Sequence, residues 1–150
     1  MDRSRKVVNE LLTDVFNQIL ILEERNLQEH DAVDVTMTEI HVIEAIRKCD
    51  PSTMGTVSKR LMITMGTLTT SVNRLVEKGY VTRKRDVKDR RVVLLDLTEK
   101  GQKVFEIHEE FHEELVNAAL KDLEFREDLV QSLESIYRFF KKLQDKHQIK

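Results

Sequence analysis

Hydrophobic residues recur along this chain mostly at intervals of three and four, the repeat of helices that each bury one face. Between Lys6 and about Gln28, the residues Val8, Leu11, Leu12, Val15, Phe16, Ile19, Leu20 and Leu22 make a broad apolar face and predict a long first helix. Thr36-Met37-Thr38-Glu39 has the spacing of a capping box, in which the threonine oxygen accepts from an amide and the glutamate reaches back. A second helix is therefore predicted from about Met37 to Lys48. Asp50-Pro51 stops it, because proline disfavours helical backbone in the residue before it. Two short helices follow, about Met54 to Leu61 and Met65 to Lys78, each behind a threonine able to cap it, Thr53 and Thr64. In the second of these, Leu68, Val72 and Leu75 face inward and leave Thr67, Thr70, Ser71, Asn73 and Arg74 on or near the outer side. Gly79 is placed to end that helix in a left-handed conformation.

The period then changes from helical to alternating. Tyr80 to Arg85 and Arg91 to Leu97 read as two strands, with Val93, Leu95 and Leu97 on one side and Asp86-Val87-Lys88-Asp89-Arg90 as the turn. A pair of short helices followed by a basic hairpin is a winged helix-turn-helix arrangement. Thr98 caps a further long helix to about Leu120, striped by Val104, Ile107, Phe111 and Leu115. A last helix, about Leu123 to Lys146, carries Leu129, Leu133, Ile136, Phe140 and Leu143 at alternating spacings of four and three, a seam suited to a helix–helix contact. A core in the middle of the chain leaves the first and last helices over. Pairing them between two copies, through Val8, Leu11 and the last-helix seam, is their economical use. The expected fold is mostly α with a small β-hairpin wing. It forms a single domain over 1–150, with a winged helix-turn-helix core at about 36–98 and dimerisation helices at about 3–30 and 99–146. No internal repeat, low-complexity tract or Gly/Ser/Pro-rich linker stands out.

Composition sharpens this picture. With 150 residues, 40% hydrophobic and 35% charged, the chain is one domain's worth of polypeptide and can fill a core. One cysteine, Cys49, cannot close an internal disulfide and is read as a passive thiol. No apolar run is long enough to span a bilayer, so a cytoplasmic protein without a membrane partner is expected. The net charge of −2 hides an asymmetry: Ser58 to Arg91 holds ten basic and three acidic residues, a segment of +7 that leaves −9 on the remainder. A positive block on an otherwise acidic protein suits a polyanion, since Lys and Arg replace condensed counterions on phosphates.

Short side chains on the outer face of the second short helix let its backbone approach base edges. Asn73 suits adenine, Arg74 guanine or phosphate, and threonine methyls the methyl of thymine. In the hairpin, Lys88, Arg90 and Arg91 cluster around Asp89, which can brace one guanidinium as it extends into a minor groove. Arg83, Lys84 and Arg85 suit phosphates. Together these residues point to a double-stranded DNA operator. The rival reading is a helical interaction module that docks a partner protein and ignores nucleic acid.

The run Gly79-Tyr80-Val81, then Asp86-Val87-Lys88-Asp89-Arg90-Arg91, then Leu97-Thr98-Glu99-Lys100-Gly101 resembles the wing signature of the MarR family of transcriptional regulators. The likeness covers essentially the whole chain. It implies a homodimer on a palindromic operator, a ligand pocket between the dimerisation and DNA-binding parts, and a wing in which Asp89 braces the minor-groove arm Arg91 with Arg90 beside them. Ile21-Leu22-Glu23-Glu24, Glu39-Ile40-His41, Thr67-Leu68-Thr69-Thr70-Ser71 with Asn73, and His108-Glu109-Glu110-Phe111-His112 are similar to members that repress fatty-acid-synthesis genes. That likeness implies a long acyl chain on acyl carrier protein as corepressor. Leu12, Phe16, Ile19, Ile40, Ile43, Ile107 and Phe111 are the candidate pocket lining, with plain core packing as the alternative for each.

His108-Glu109-Glu110-Phe111-His112 also matches the H-E-x-x-H spacing of zinc proteases. No obvious third ligand or substrate cleft accompanies it, no other catalytic motif is present, and no required cofactor or enzymatic activity is expected. A regulatory zinc site is the better rival, because histidines four apart share a helix face that His41 and Glu24 can join. Zinc-responsive members of the same family use such a set. The favoured reading keeps these four residues polar and metal-free.

Overall fold

The computed structural model describes residues 2–30, 34–122 and 124–146. Two compact units divide the chain, Met1–Phe111 and His112–Lys150.

In the first unit, α1 (Arg3–Glu29) begins one turn earlier than the apolar pattern suggests, because the Asp2 carboxylate accepts from the Ser4 amide and caps it. Most of the broad apolar face of α1 is exposed. The helix buries only Glu23 and Leu27, with Leu12, Ile19 and Asn26 half-buried. α2 (Met37–Lys48) opens on the capping box, with Thr36 Oγ1 accepting from the Glu39 amide at 3.2 Å and Glu39 accepting from the Thr36 amide at 2.9 Å. It supplies the centre of the core: Ile40, Val42 and Ile43 have no exposed surface.

α3 (Met54–Leu61) and α4 (Met65–Glu77) follow, capped by Thr53 and Thr64. Both start with the same tetrapeptide, Thr-Met-Gly-Thr at 53–56 and again at 64–67. Met62 takes the left-handed conformation that turns the chain between them, and Gly79 does so after α4, which ends at Glu77 with Lys78 as its cap.

The wing is a two-stranded antiparallel sheet, β1 (Val81–Arg85) and β2 (Val93–Leu97), registered from Val81 opposite Leu97 to Arg85 opposite Val93. Leu95 is buried, and Val93 and Leu97 are half-buried on the expected side. Leu94, whose side chain alternates to the opposite face, is also half-buried. Thr53 forms a bridge to it, and the Leu95 amide donates to Ser52 O at 2.9 Å, so the segment before α3 covers this edge of the wing.

α5 (Glu99–Leu120) starts behind Thr98, whose hydroxyl accepts from the Gly101 amide at 3.1 Å. Its buried face is Gly101, Val104, Phe105 and His108, one position round from the expected stripe, with Ile107 and Phe111 only half-buried. Gly101 sets that rotation. A Cβ there would lie 2.1 Å from the Tyr80 carbonyl oxygen, so only glycine lets the helix seat so closely on the residue before β1.

In the second unit, α6 (Arg126–Lys146) starts later than the pattern suggests; Leu123 lies outside the described residues. Leu133, Phe140 and Leu143 are exposed along it, and Leu129 and Ile136 are half-buried. Among the described residues, no helix is long and apolar enough to cross a membrane.

Candidate nucleic-acid interface

The exposed side of α4 is built from small polar side chains because its other side fills the core with Leu68, Val72 and Leu75. Thr67, Thr70 and Arg74 are exposed and Asn73 is half-buried. Ser71 corrects the sequence reading. It is buried at 8% exposure, next to Val72 on the inward side, and is not a free outward contact. Its one-carbon side chain lets α4 pack closely, which a helical-wheel argument from apolar residues alone does not register.

Several hydroxyls on this helix are already committed. Thr69 donates to Met65 O at 2.7 Å and Thr70 to Gly66 O at 3.1 Å, one turn back. Asn73 Oδ1 accepts from Arg83 Nη1, joining α4 to β1. Arg83, expected to face a phosphate, is thus shared with the helix beside it. Between α3, α4 and the wing lies an open groove of about 690 Å³, edged by Met54, Met65 and Thr69 on the helices and by Arg83, Arg85 and Arg91 on the hairpin.

The wing turn is tied at several points. Arg91 donates through Nε to Asp89 Oδ1 at 3.1 Å and through Nη2 to Oδ2 at 3.2 Å, while its amide donates to the same carboxylate at 3.0 Å. Those bonds hold the Asp89 carboxyl below the usual carboxylate range. Arg85 donates to Arg90 O at 2.7 Å across the turn. The Arg91 side chain remains 91% exposed, a cation held in orientation by one partner with its outer edge open to solvent. Lys88 and Arg90 are both exposed on the same turn, and Val87 stands almost wholly in solvent at the tip.

Behind this face a polar cluster fixes the end of α4 against α2. Lys78 Nζ lies 2.8 and 3.0 Å from the two oxygens of buried Glu39 and also donates to Asp34 O. Tyr80 donates its hydroxyl to Asp34, and Lys100 stands 4.0 Å from the centre of its ring and donates to Lys78 O at 2.9 Å. Burial and the Asp34 carboxylate both push the Tyr80 hydroxyl far above its ordinary pKa.

Away from this face, side-chain ligand atoms of Glu23, His41 and His108 all lie within 4.8 Å of one another. Glu23 and His108 are almost fully buried, and Glu23 Oε2 is 4.0 Å from His41 Nε2. This changes the expected set: Glu24 is exposed, and its neighbour Glu23 occupies the inward position one turn before Leu27. The apolar pattern of α1 concealed it, since an inward carboxylate looks like a break in a stripe. His112 opens the second unit. His108 Nε2 also lies 3.4 Å from a Glu44 carboxylate oxygen, and that contact is the main reason the Glu44 carboxyl falls from 4.5 to about 2. Of the candidate pocket residues, Ile40 and Ile43 sit inside the core, Ile107 packs against it, Leu12, Ile19 and Phe111 are half-buried, and Phe16 is exposed.

Residues 25–108, spanning the end of α1 through the core and wing to the buried part of α5, match the family model described as transcriptional regulator SarA/Rot. The multiple antibiotic resistance protein MarR of Escherichia coli (strain K12) is 30% identical over 126 residues, covering 73% of this chain and 88% of MarR. The chain belongs to the MarR family of transcriptional regulators. Another relative is the HTH-type transcriptional regulator SarZ of Staphylococcus saprophyticus, 30% identical over 68% of this chain and 70% of its own. Among solved structures, FabT of Streptococcus pneumoniae in complex with DNA is 40% identical, with a TM-score of 0.86, covering 93% of this chain and 99% of that one. A MarR-family protein is a transcriptional regulator and not an enzyme.

Proposed function

We propose that this regulator represses fatty-acid-biosynthesis genes by binding a palindromic DNA operator as a homodimer, with long-chain acyl groups on acyl carrier protein as corepressor. The observation that carries DNA binding is the pairing of an exposed polar α4 face with an arginine braced at the wing. The first suits a major groove and the second the adjoining minor groove. Thr67, Thr70, Asn73 and Arg74 supply base-edge contacts, and Lys88, Arg90 and Arg91, with Asp89 as brace, supply the wing. The exposed apolar faces of α1, including Val8 and Leu11, and of α6, including Leu133 and Phe140, support dimerisation, since such a surface in water favours a second copy. Two copies then hold their α4 helices about one helical turn, ~34 Å, apart. The fatty-acid assignment rests on the 40% identity with FabT across nearly the whole of both chains, together with the sequence segments already described. Acyl occupancy near Leu12, Phe16, Ile19 and Phe111 would act by shifting the population toward the operator-fitting spacing.

Operator affinity measured across a salt series, with and without acylated carrier protein, tests this. Steeply salt-dependent binding that tightens with the acylated carrier is the expected result. Binding that is indifferent to acylation removes the corepressor, and no duplex binding in dilute buffer removes the whole reading.

A second reading, a zinc-responsive regulator, is favoured by one observation, the convergence of Glu23, His41 and His108, a donor set suited to zinc. Zinc titration of the wild type and of His108→Ala decides it: a zinc-dependent change in operator affinity that His108→Ala abolishes supports a metal sensor, and no response retires it.

A further inference from the structure

Asn73 is the one half-buried member of the candidate base-reading set on α4, and its carboxamide does not point freely. A guanidinium can only donate, so the atom facing Arg83 must be the carbonyl oxygen Oδ1. A carboxamide that reads adenine bidentately needs both its atoms at the base edge, the oxygen accepting from N6 and the nitrogen donating to N7. With Oδ1 turned to β1, Asn73 instead presents its Nδ2 hydrogens.

We infer that Arg83 is a specificity-determining residue: by holding Asn73 Oδ1 it makes Asn73 a donor-only reader, suited to guanine, with its adjacent N7 and O6 acceptors, over adenine. At adenine the N6 amino group would meet the Asn73 amino group donor to donor. The neighbouring threonines fit the same scheme. Thr69 and Thr70 spend their hydroxyl protons on Met65 O and Gly66 O, so toward any base their oxygens can only accept. Donor and acceptor roles on this face are thus divided by intramolecular bonds before any base arrives. Arg83 is exposed on β1, so its removal leaves the core untouched.

This inference rests on the DNA-binding reading, and its test separates the two. The full-length wild type is used to select an operator from random duplexes, and affinities for every single-base variant are measured at fixed salt for wild type, Arg83→Met, Asn73→Ala and the double variant. The expected result is that Arg83→Met shifts the guanine-to-adenine preference toward adenine by about tenfold at one position per half-site. Asn73→Ala flattens that same position, and the double variant behaves as Asn73→Ala does. A uniform loss across all variants on Arg83→Met shows a phosphate contact only and overturns the inference, as does an Asn73→Ala protein with unchanged preferences. If the wild type selects no duplex, the DNA-binding reading fails and takes this one with it.

Discussion

Asp89 holds Arg91 by three hydrogen bonds, two from its guanidinium and one from its amide, while leaving the cation 91% exposed. An arginine arranged this way loses little further freedom on entering a groove, and its charge is only partly neutralised by the brace. Arg91→Ala is therefore expected to weaken operator binding by about ten- to a hundredfold and to lower the slope of log affinity against log salt by about one per subunit. Asp89→Ala is expected to cost less, because the charge survives and only its orientation is lost. Anisotropy titrations at several salt concentrations check both, and an unchanged salt slope for Arg91→Ala removes the wing contact.

Gly101 is the one of the four glycines whose backbone seats too closely on a neighbour to admit a Cβ. Substitution by alanine drives Cβ to 2.1 Å from Tyr80 O and 3.1 Å from its carbon, neither of which is a flexible side-chain end. The expected loss on Gly101→Ala is about 2–4 kcal/mol by urea unfolding. Gly66→Ala is the control: a Cβ there meets only Thr64 Oγ1 at 3.9 Å, so helix propensity should stabilise it by up to about 1 kcal/mol. Equal effects at the two positions would sink the steric account.

Lys78 neutralises a carboxylate that is almost fully buried, so removing one partner should cost more than removing both. Lys78→Met is expected to destabilise by about 3 kcal/mol, and adding Glu39→Gln, which keeps an oxygen for the capping box, should return a part of it. A double-mutant cycle with strictly additive losses would show that the pair is not coupled.

The Glu44 carboxyl titrates near 2 when folded against an ordinary 4.5, so its contribution is complete above pH 4.5 and disappears as the pH falls through 2. Wild type should exceed Glu44→Gln in stability by about 1–2 kcal/mol near neutrality, a figure reduced for a half-buried site by solvent screening. Acid denaturation curves of the two should converge toward pH 2; curves that stay parallel throughout would assign the difference to packing.

The sequence alone determined the order of the elements and most of their boundaries to within a residue or so. Capping boxes, the stop at Asp50-Pro51, Gly79 and the switch from helical to alternating period are local signals, set by hydrogen bonds and backbone sterics within a few residues. The Asp89–Arg91 brace is local in the same sense, two residues apart, and was legible for that reason. What only the tertiary structure decided is which side of each element meets which neighbour. Ser71 turns inward, Glu23 takes the buried place beside His41 and His108, α5 rotates onto Tyr80, and Arg83 reaches Asn73. Each depends on atoms far apart in the chain being brought within a few ångströms. A hydrophobic pattern cannot register this, because it marks where apolar area must be buried but not which polar groups are carried in with it.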